Sequence, residues 1–97
     1  MKVENGYSEK LSSCGKFLLK ANYLNGKFHG FCAFHNLDGT IRDNGTFNNG
    51  LKDGYFETFW NDKGGLKITG TYENDIKVGK FSHYDSYSKL TEEKYFI

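Results

Sequence analysis

Residues Gly45–Gly65 read GTFNNGLKDGYFETFWNDKGG. Two aromatic runs, GTF and GYFETFW, flank NNGLKDG. Asn49-Gly50 and Asp53-Gly54 are turn dipeptides, because glycine takes positive φ without a Cβ clash and Asn or Asp tolerates it better than most residues. Ring-rich runs bounded by such dipeptides predict the two strands of a β-hairpin.

The rest of the chain repeats this unit. Gly6, Gly30, Gly54 and Gly79 open four segments, spaced by 24, 24 and 25 residues. One residue later stand Tyr7, Phe31, Tyr55 and Lys80; two later, Ser8, Cys32, Phe56 and Phe81; five later, Leu11, His35, Phe59 and Tyr84. A second glycine column follows at Gly15, Gly39 and Gly64, with Ser88 in the fourth place. Then come Phe17, Ile41, Leu66 and Leu90, and finally Tyr23, Phe47, Tyr72 and Phe96. Several columns in phase define copies at about 6–29, 30–53, 54–78 and 79–97. An internal repeat of this length decides the fold before other signals do.

Strand periodicity agrees. Phe17, Leu19, Ala21 and Tyr23 alternate with Leu18, Lys20, Asn22 and Leu24, and Leu66, Ile68 and Tyr72 alternate with Lys67, Thr69, Thr71 and Glu73. That pattern predicts half-buried antiparallel strands. Lys27–His29 and Asp38-Gly39 read as loop and turn. Ser88–Lys94 is compatible with a helix in isolation, but its match to the earlier columns predicts a strand. The expectation is a single all-β domain over 1–97: an antiparallel up-and-down meander of about eight short strands, whose copies stack their rings into columns.

Composition fits. Apolar residues are 37% and aromatics 18%, so a few large rings carry the burial. There is no proline to remove a ladder donor, and twelve glycines suit repeated turns. Thirteen basic against twelve acidic residues, evenly spread, argue against a duplex-DNA binder, which needs a basic stripe. MKVENGYSEK lacks the apolar stretch of a signal peptide, and no run of about 18 apolar residues predicts a membrane span. A cytoplasmic location is the expectation. There Cys14, in a turn, and Cys32, in a strand slot, stay reduced, with Cys32 a small buried apolar residue.

The pattern G-x-aromatic-x-x-G-x-x-x-G-x-aromatic-x-x-aromatic resembles the MORN repeat family, and more closely its bacterial variant. Gly45, Phe47, Gly50, Gly54, Phe56 and Phe59 fit every slot. Gly70, Tyr72, Gly79, Phe81 and Tyr84 fit too, with Asp75 where a glycine is expected. The copy at Ala21, Tyr23, Gly26, Gly30, Cys32 and His35 departs at its first glycine and at both aromatic slots. The resemblance covers about residues 15–97. It implies an elongated sheet of stacked hairpins and a binding role rather than catalysis. Family members act as protein-interaction scaffolds, some are linked to phospholipids, and many small bacterial variants look like antitoxin or immunity components.

The residues offer little chemistry against this. His29, His35 and His83 have different repeat offsets and do not converge on a metal, which needs three or four ligands together. The carboxylates Asp38, Asp43, Asp53, Glu57, Asp62 and Glu73 are scattered, and Asp38 and Asp53 have turn roles. Ser12-Ser13-Cys14-Gly15 lacks a nucleophile elbow, and Gly64-Gly65 opens no phosphate loop. No enzyme, cofactor or metal is expected. Lys63, Lys67, Lys77 and Lys80, near Trp60 and Tyr87, read as a solvated face or as a weak contact for lipid headgroups or RNA.

The rings leave two readings open. In GYFETFW an ideal strand puts Phe56, Thr58 and Trp60 on one face and Tyr55, Glu57 and Phe59 on the other. Phe31 and Phe34 repeat the pattern one copy earlier. Either both sets pack, or one is an exposed patch of the type that dominates interface energetics. The leading expectation is a non-enzymatic protein-binding module of immunity or antitoxin type, which neutralises a protein partner by stoichiometric occlusion. Its contacts are Phe31, Phe34, Tyr55 and Trp60, with Arg42 and Glu57 setting orientation by charge. The alternative is a lipid-headgroup or nucleic-acid surface binder.

Overall fold

A computed structural model describes residues 3–60 and 65–97. Eight strands follow one another: β1 Gly6–Leu11, β2 Phe17–Leu24, β3 Lys27–Asn36, β4 Ile41–Asn48, β5 Leu51–Phe59, β6 Leu66–Glu73, β7 Ile76–Tyr84 and β8 Leu90–Phe96. All pair antiparallel in one sheet in sequence order, so every strand pairs only with its neighbours along the chain. The body measures 47 × 34 × 18 Å, and among the described residues all eight strands belong to the one sheet, with no second layer on either face.

The hairpins differ from the expected boundaries in one respect. Lys27–His29 are strand, not loop, and so are Leu51–Gly54. The turns are the two-residue pairs Asn25-Gly26 (φ 51° and 80°), Asn49-Gly50 (50° and 85°) and Asn74-Asp75 (48° and 70°). Two successive positive φ values make a tight turn whose twist matches the strands, so the strands begin at once. Asp75 fills the glycine place because aspartate tolerates this backbone.

Each of these turns also bonds to the copy before it. The amide N–H of Gly26 donates to the carbonyl of Glu4 at 2.9 Å, that of Gly50 to Phe28 at 2.8 Å, and that of Asp75 to Lys52 at 2.8 Å. Asp75 Oδ1 also accepts from the Lys52 N–H at 2.6 Å.

Asp53-Gly54 is therefore not a turn. Gly54 lies inside β5 with φ 132°, where the β4–β5 register shifts between Gly45 and Phe47. A Cβ there would sit 3.2 Å from Thr46 Cβ.

Register sorts the side chains onto two faces, because residues paired across strands share a side. One face carries the expected column of rings. Centroid separations run Tyr23–Phe28 5.4 Å, Phe28–Phe47 5.2 Å, Phe47–Phe56 5.2 Å, Phe56–Tyr72 5.3 Å, Tyr72–Phe81 5.3 Å and Phe81–Phe96 5.3 Å. From Phe47 onward the rings meet edge to face, the favourable arrangement of their quadrupoles. Phe56 lies flat on Gly45, where a Cβ would come within 2.3 Å of the ring, and Phe81 lies likewise on Gly70, within 2.4 Å.

The first copy solves the same problem differently. Cys32 pairs with Ala21 where Phe56 pairs with Gly45. The methyl of Ala21 leaves no room for a ring at 32, and both residues are fully buried. The missing ring comes from Phe28, four residues earlier on β3.

Candidate functional site

Phe28 has counterparts at Lys52 and Lys77, and there the cations lie on the rings. Lys52 Nζ is 5.3 Å from the Phe56 centroid and 4.8 Å from that of Tyr72. Lys77 Nζ is 5.2 Å from Phe81 and 5.4 Å from Phe96. Their stems cover apolar surface while the ammonium groups meet the negative ring faces. Burial holds the Tyr72 phenol above its ordinary range, and the charge of Asp75 adds to the shift.

Beside this column is a notch of about 60 Å³, whose lining includes Phe34, Asp43, Phe47, Lys52, Thr58 and Ile68. Pockets for small-molecule substrates are several-fold larger, so the notch suits one side chain at most. Burial pushes the Asp43 carboxyl above the usual range, and the charges of Arg42 and Lys52 offset only part of that.

The reverse face is different. Tyr7 pairs with Asn22, Phe31 with Thr46 and Tyr55 with Thr71. Rings on β1, β3 and β5 thus alternate with short polar residues on β2, β4 and β6. Tyr7 is 57% exposed and Phe31 and Tyr55 are each 54% exposed, and Tyr95 on β8 is 73% exposed. Two strand spacings separate successive rings, about 10 Å. Beside them runs a polar row in which Glu57 is flanked by the buried Asn44 and Thr69.

Of the six residues singled out from sequence, Phe31, Tyr55 and Glu57 come together on this reverse face. Phe34 belongs to the ring face, 5.6 Å from Phe28 and 6.2 Å from Phe47. Trp60 follows β5, about 16 Å along the chain from Tyr55 at strand rise. Its Nε1–H donates to the Tyr84 carbonyl at 3.1 Å, and Lys67 Nζ lies 4.9 Å from its ring. The Arg42 guanidinium is stacked 4.0 Å from the Phe17 ring. Arg42 and Trp60 are therefore tied into the sheet by internal contacts. Asn61, Asp62, Lys63 and Gly64, including the carboxylate, lysine and glycine read from sequence there, lie outside the described residues.

The histidines are spread along the chain. His29 is on β3, where Nδ1 accepts the Asn49 N–H at 3.1 Å. His35 occupies the ring slot of Phe59 and Tyr84, its Nδ1 buried without a hydrogen-bond partner among the described residues. His83 is on β7, paired with Ile68 and Glu92. Among the described residues no three of His, Cys, Asp and Glu gather in the manner of a metal site. Cys14 is exposed, Cys32 is buried, and both are free thiols. No described helix is long and apolar enough to cross a membrane.

Comparison of the chain with protein-family models, with curated proteins and with solved structures gave no match.

Proposed function

We propose that the chain is a MORN-type, non-enzymatic protein-binding module of immunity or antitoxin kind, which neutralises a partner protein by occupying its surface. The observation that carries this reading is the reverse face, where Tyr7, Phe31 and Tyr55 stand more than half exposed in one row. Aligned exposed rings on a rigid sheet suit an interface, since such side chains supply large contact area at small entropy cost. Lys67 and Lys77 lie on rings and Lys80 pairs with Glu93 at 3.4 Å. Three of the four lysines read as a lipid-headgroup or RNA contact are thus engaged within the sheet, which favours the protein-binding reading. The immunity or antitoxin step rests on resemblance and on no residue by itself.

The test is co-expression with the product of the adjacent gene, followed by size-exclusion chromatography with Tyr55→Ala and Phe31→Ala. The reading expects a stoichiometric complex that each substitution weakens at least tenfold while circular dichroism stays that of a β-sheet. Full affinity in both folded variants overturns the reverse face as the contact. Binding to anionic vesicles or RNA that collapses with salt, in place of a protein complex, favours the alternative.

A further inference from the structure

Two residues after Phe17, Ile41, Leu66 and Leu90 come Leu19, Asp43, Ile68 and Glu92, one per copy. On the inner strands Leu19 and Ile68 are half-buried aliphatic residues at this place, whereas Glu92 is exposed on the edge strand β8. Asp43 stands at the same place in the middle of the ring face, between Phe34 of β3 and Thr58 of β5. Its carboxylate makes no hydrogen bond or ion pair with any described residue. It caps no helix and closes no turn. Half-buried, it disfavours the folded state while ionised, and the charges of Arg42 and Lys52 offset only part of that cost. A residue that breaks a local rule with no structural return marks a binding position.

We propose that the notch at Asp43 receives an arginine side chain of a protein ligand that meets the ring face, opposite the Tyr7–Phe31–Tyr55 row, its guanidinium stacked on the Phe34 ring, against the edge-on Phe47, and paired with the Asp43 carboxylate. Charge and shape both favour this occupant. The notch has ring walls, one carboxylate and a volume of about 60 Å³. A guanidinium is planar, weakly hydrated, stacks on aromatic faces and meets a carboxylate with two parallel N–H donors, none of which an ammonium does as well. The molecule makes the stacked half of this contact itself, where Arg42 lies 4.0 Å from Phe17. Lys52 also lines the notch, with its ammonium on the Phe56 and Tyr72 rings and not within ion-pair distance of Asp43. The site rests on the protein-binding reading only for the source of the arginine.

The test needs no partner. Acetyl-arginine-methylamide is titrated into the labelled protein at low salt and followed by NMR, with the acetyl-citrulline and acetyl-lysine analogues as controls. Saturable millimolar binding is expected, with shifts centred on Phe34, Asp43 and Thr58. It should fall at least tenfold in Asp43→Asn, whose fold circular dichroism checks, and rise severalfold in Lys52→Met, which removes the nearby like charge. No saturable shifts at these residues, equal binding of citrulline or lysine, or unchanged binding in folded Asp43→Asn overturns the proposal. Arginine binding here without a partner complex leaves the site standing and removes the immunity reading. A partner complex with no arginine response does the reverse.

Discussion

The β2–β3 and β4–β5 pairs hold the same place in successive copies and pack by different means. In β4–β5 a ring, Phe56, rests on the bare backbone of Gly45. In β2–β3 the ring is gone, Cys32 faces Ala21, and Phe28 reaches in from the turn side to keep the column unbroken. What persists between copies is the continuity of the ring column. Close packing lets a ring at 56 lie on a glycine, whereas a methyl at 21 goes with a small side chain at 32. A residue that departs from its column is therefore read together with the residue opposite it.

The strongest way to break this comparison is truncation. Phe56→Ala should cost about 3–5 kcal/mol of unfolding free energy, as large buried rings do. Cys32→Ala should cost only about 1 kcal/mol, within the range of ordinary substitutions. Equal urea midpoints for the two would mean the copies do not pack differently at all.

A smaller effect comes from the backbone side. Gly45→Ala drives a methyl into the Phe56 ring and should destabilise by about 1–3 kcal/mol, the usual penalty of overpacking. Cys32→Phe should do the same beside Ala21, and adding Ala21→Gly should recover part of the loss. Absence of recovery in the double variant would show that the two sites are not complementary. Gly54→Val, at φ 132° and against Thr46, should cost about 1–3 kcal/mol by strain, read again from the urea midpoint.

The smallest effect separates Asp43 from its aliphatic counterparts Leu19 and Ile68. Its carboxyl is raised in the folded state, so the folded chain takes up this proton first as pH falls. The cost of the ionised group is fully present at neutral pH. It declines through the window between the raised value and the ordinary 3.8, and is gone below it. Relative to Asp43→Asn, the wild-type chain should gain stability across that window. Parallel pH profiles would place the carboxylate in solvent.

Most of the architecture was legible in sequence. Spacings of 24 and 25 residues and the two-residue alternation gave eight strands, their order and the ring column from Tyr23 to Phe96. The strand starts at Lys27 and Leu51 were missed because Gly30 and Asp53-Gly54 read as the openings of strands, whereas both glycines lie within β3 and β5 at positive φ. A dipeptide shows that the backbone needs positive φ and not whether the chain reverses there. The site was less legible. Ring content singled out Phe31 and Tyr55, which are exposed on one face, and grouped Phe34 with them although register puts it on the other face. The lysines on the ring column and Asp43 had a signal in the repeat, at Phe28, Lys52 and Lys77 and at Leu19, Asp43, Ile68 and Glu92. Those columns mix residue classes, and a search for like residues passes over them.

Every strand of the sheet pairs only with its neighbours in sequence. Among the described residues no strand pairing between distant parts of the chain locks the meander shut. Unfolding can start at β1 or β8 and run inward one hairpin at a time, each step undoing one turn amide, such as that of Gly26, Gly50 or Asp75. Amide exchange should then grade smoothly from both ends toward a slowest centre at β4–β5, and not switch as one block. The same locality keeps the loops to be closed short, which favours rapid assembly for an all-β chain.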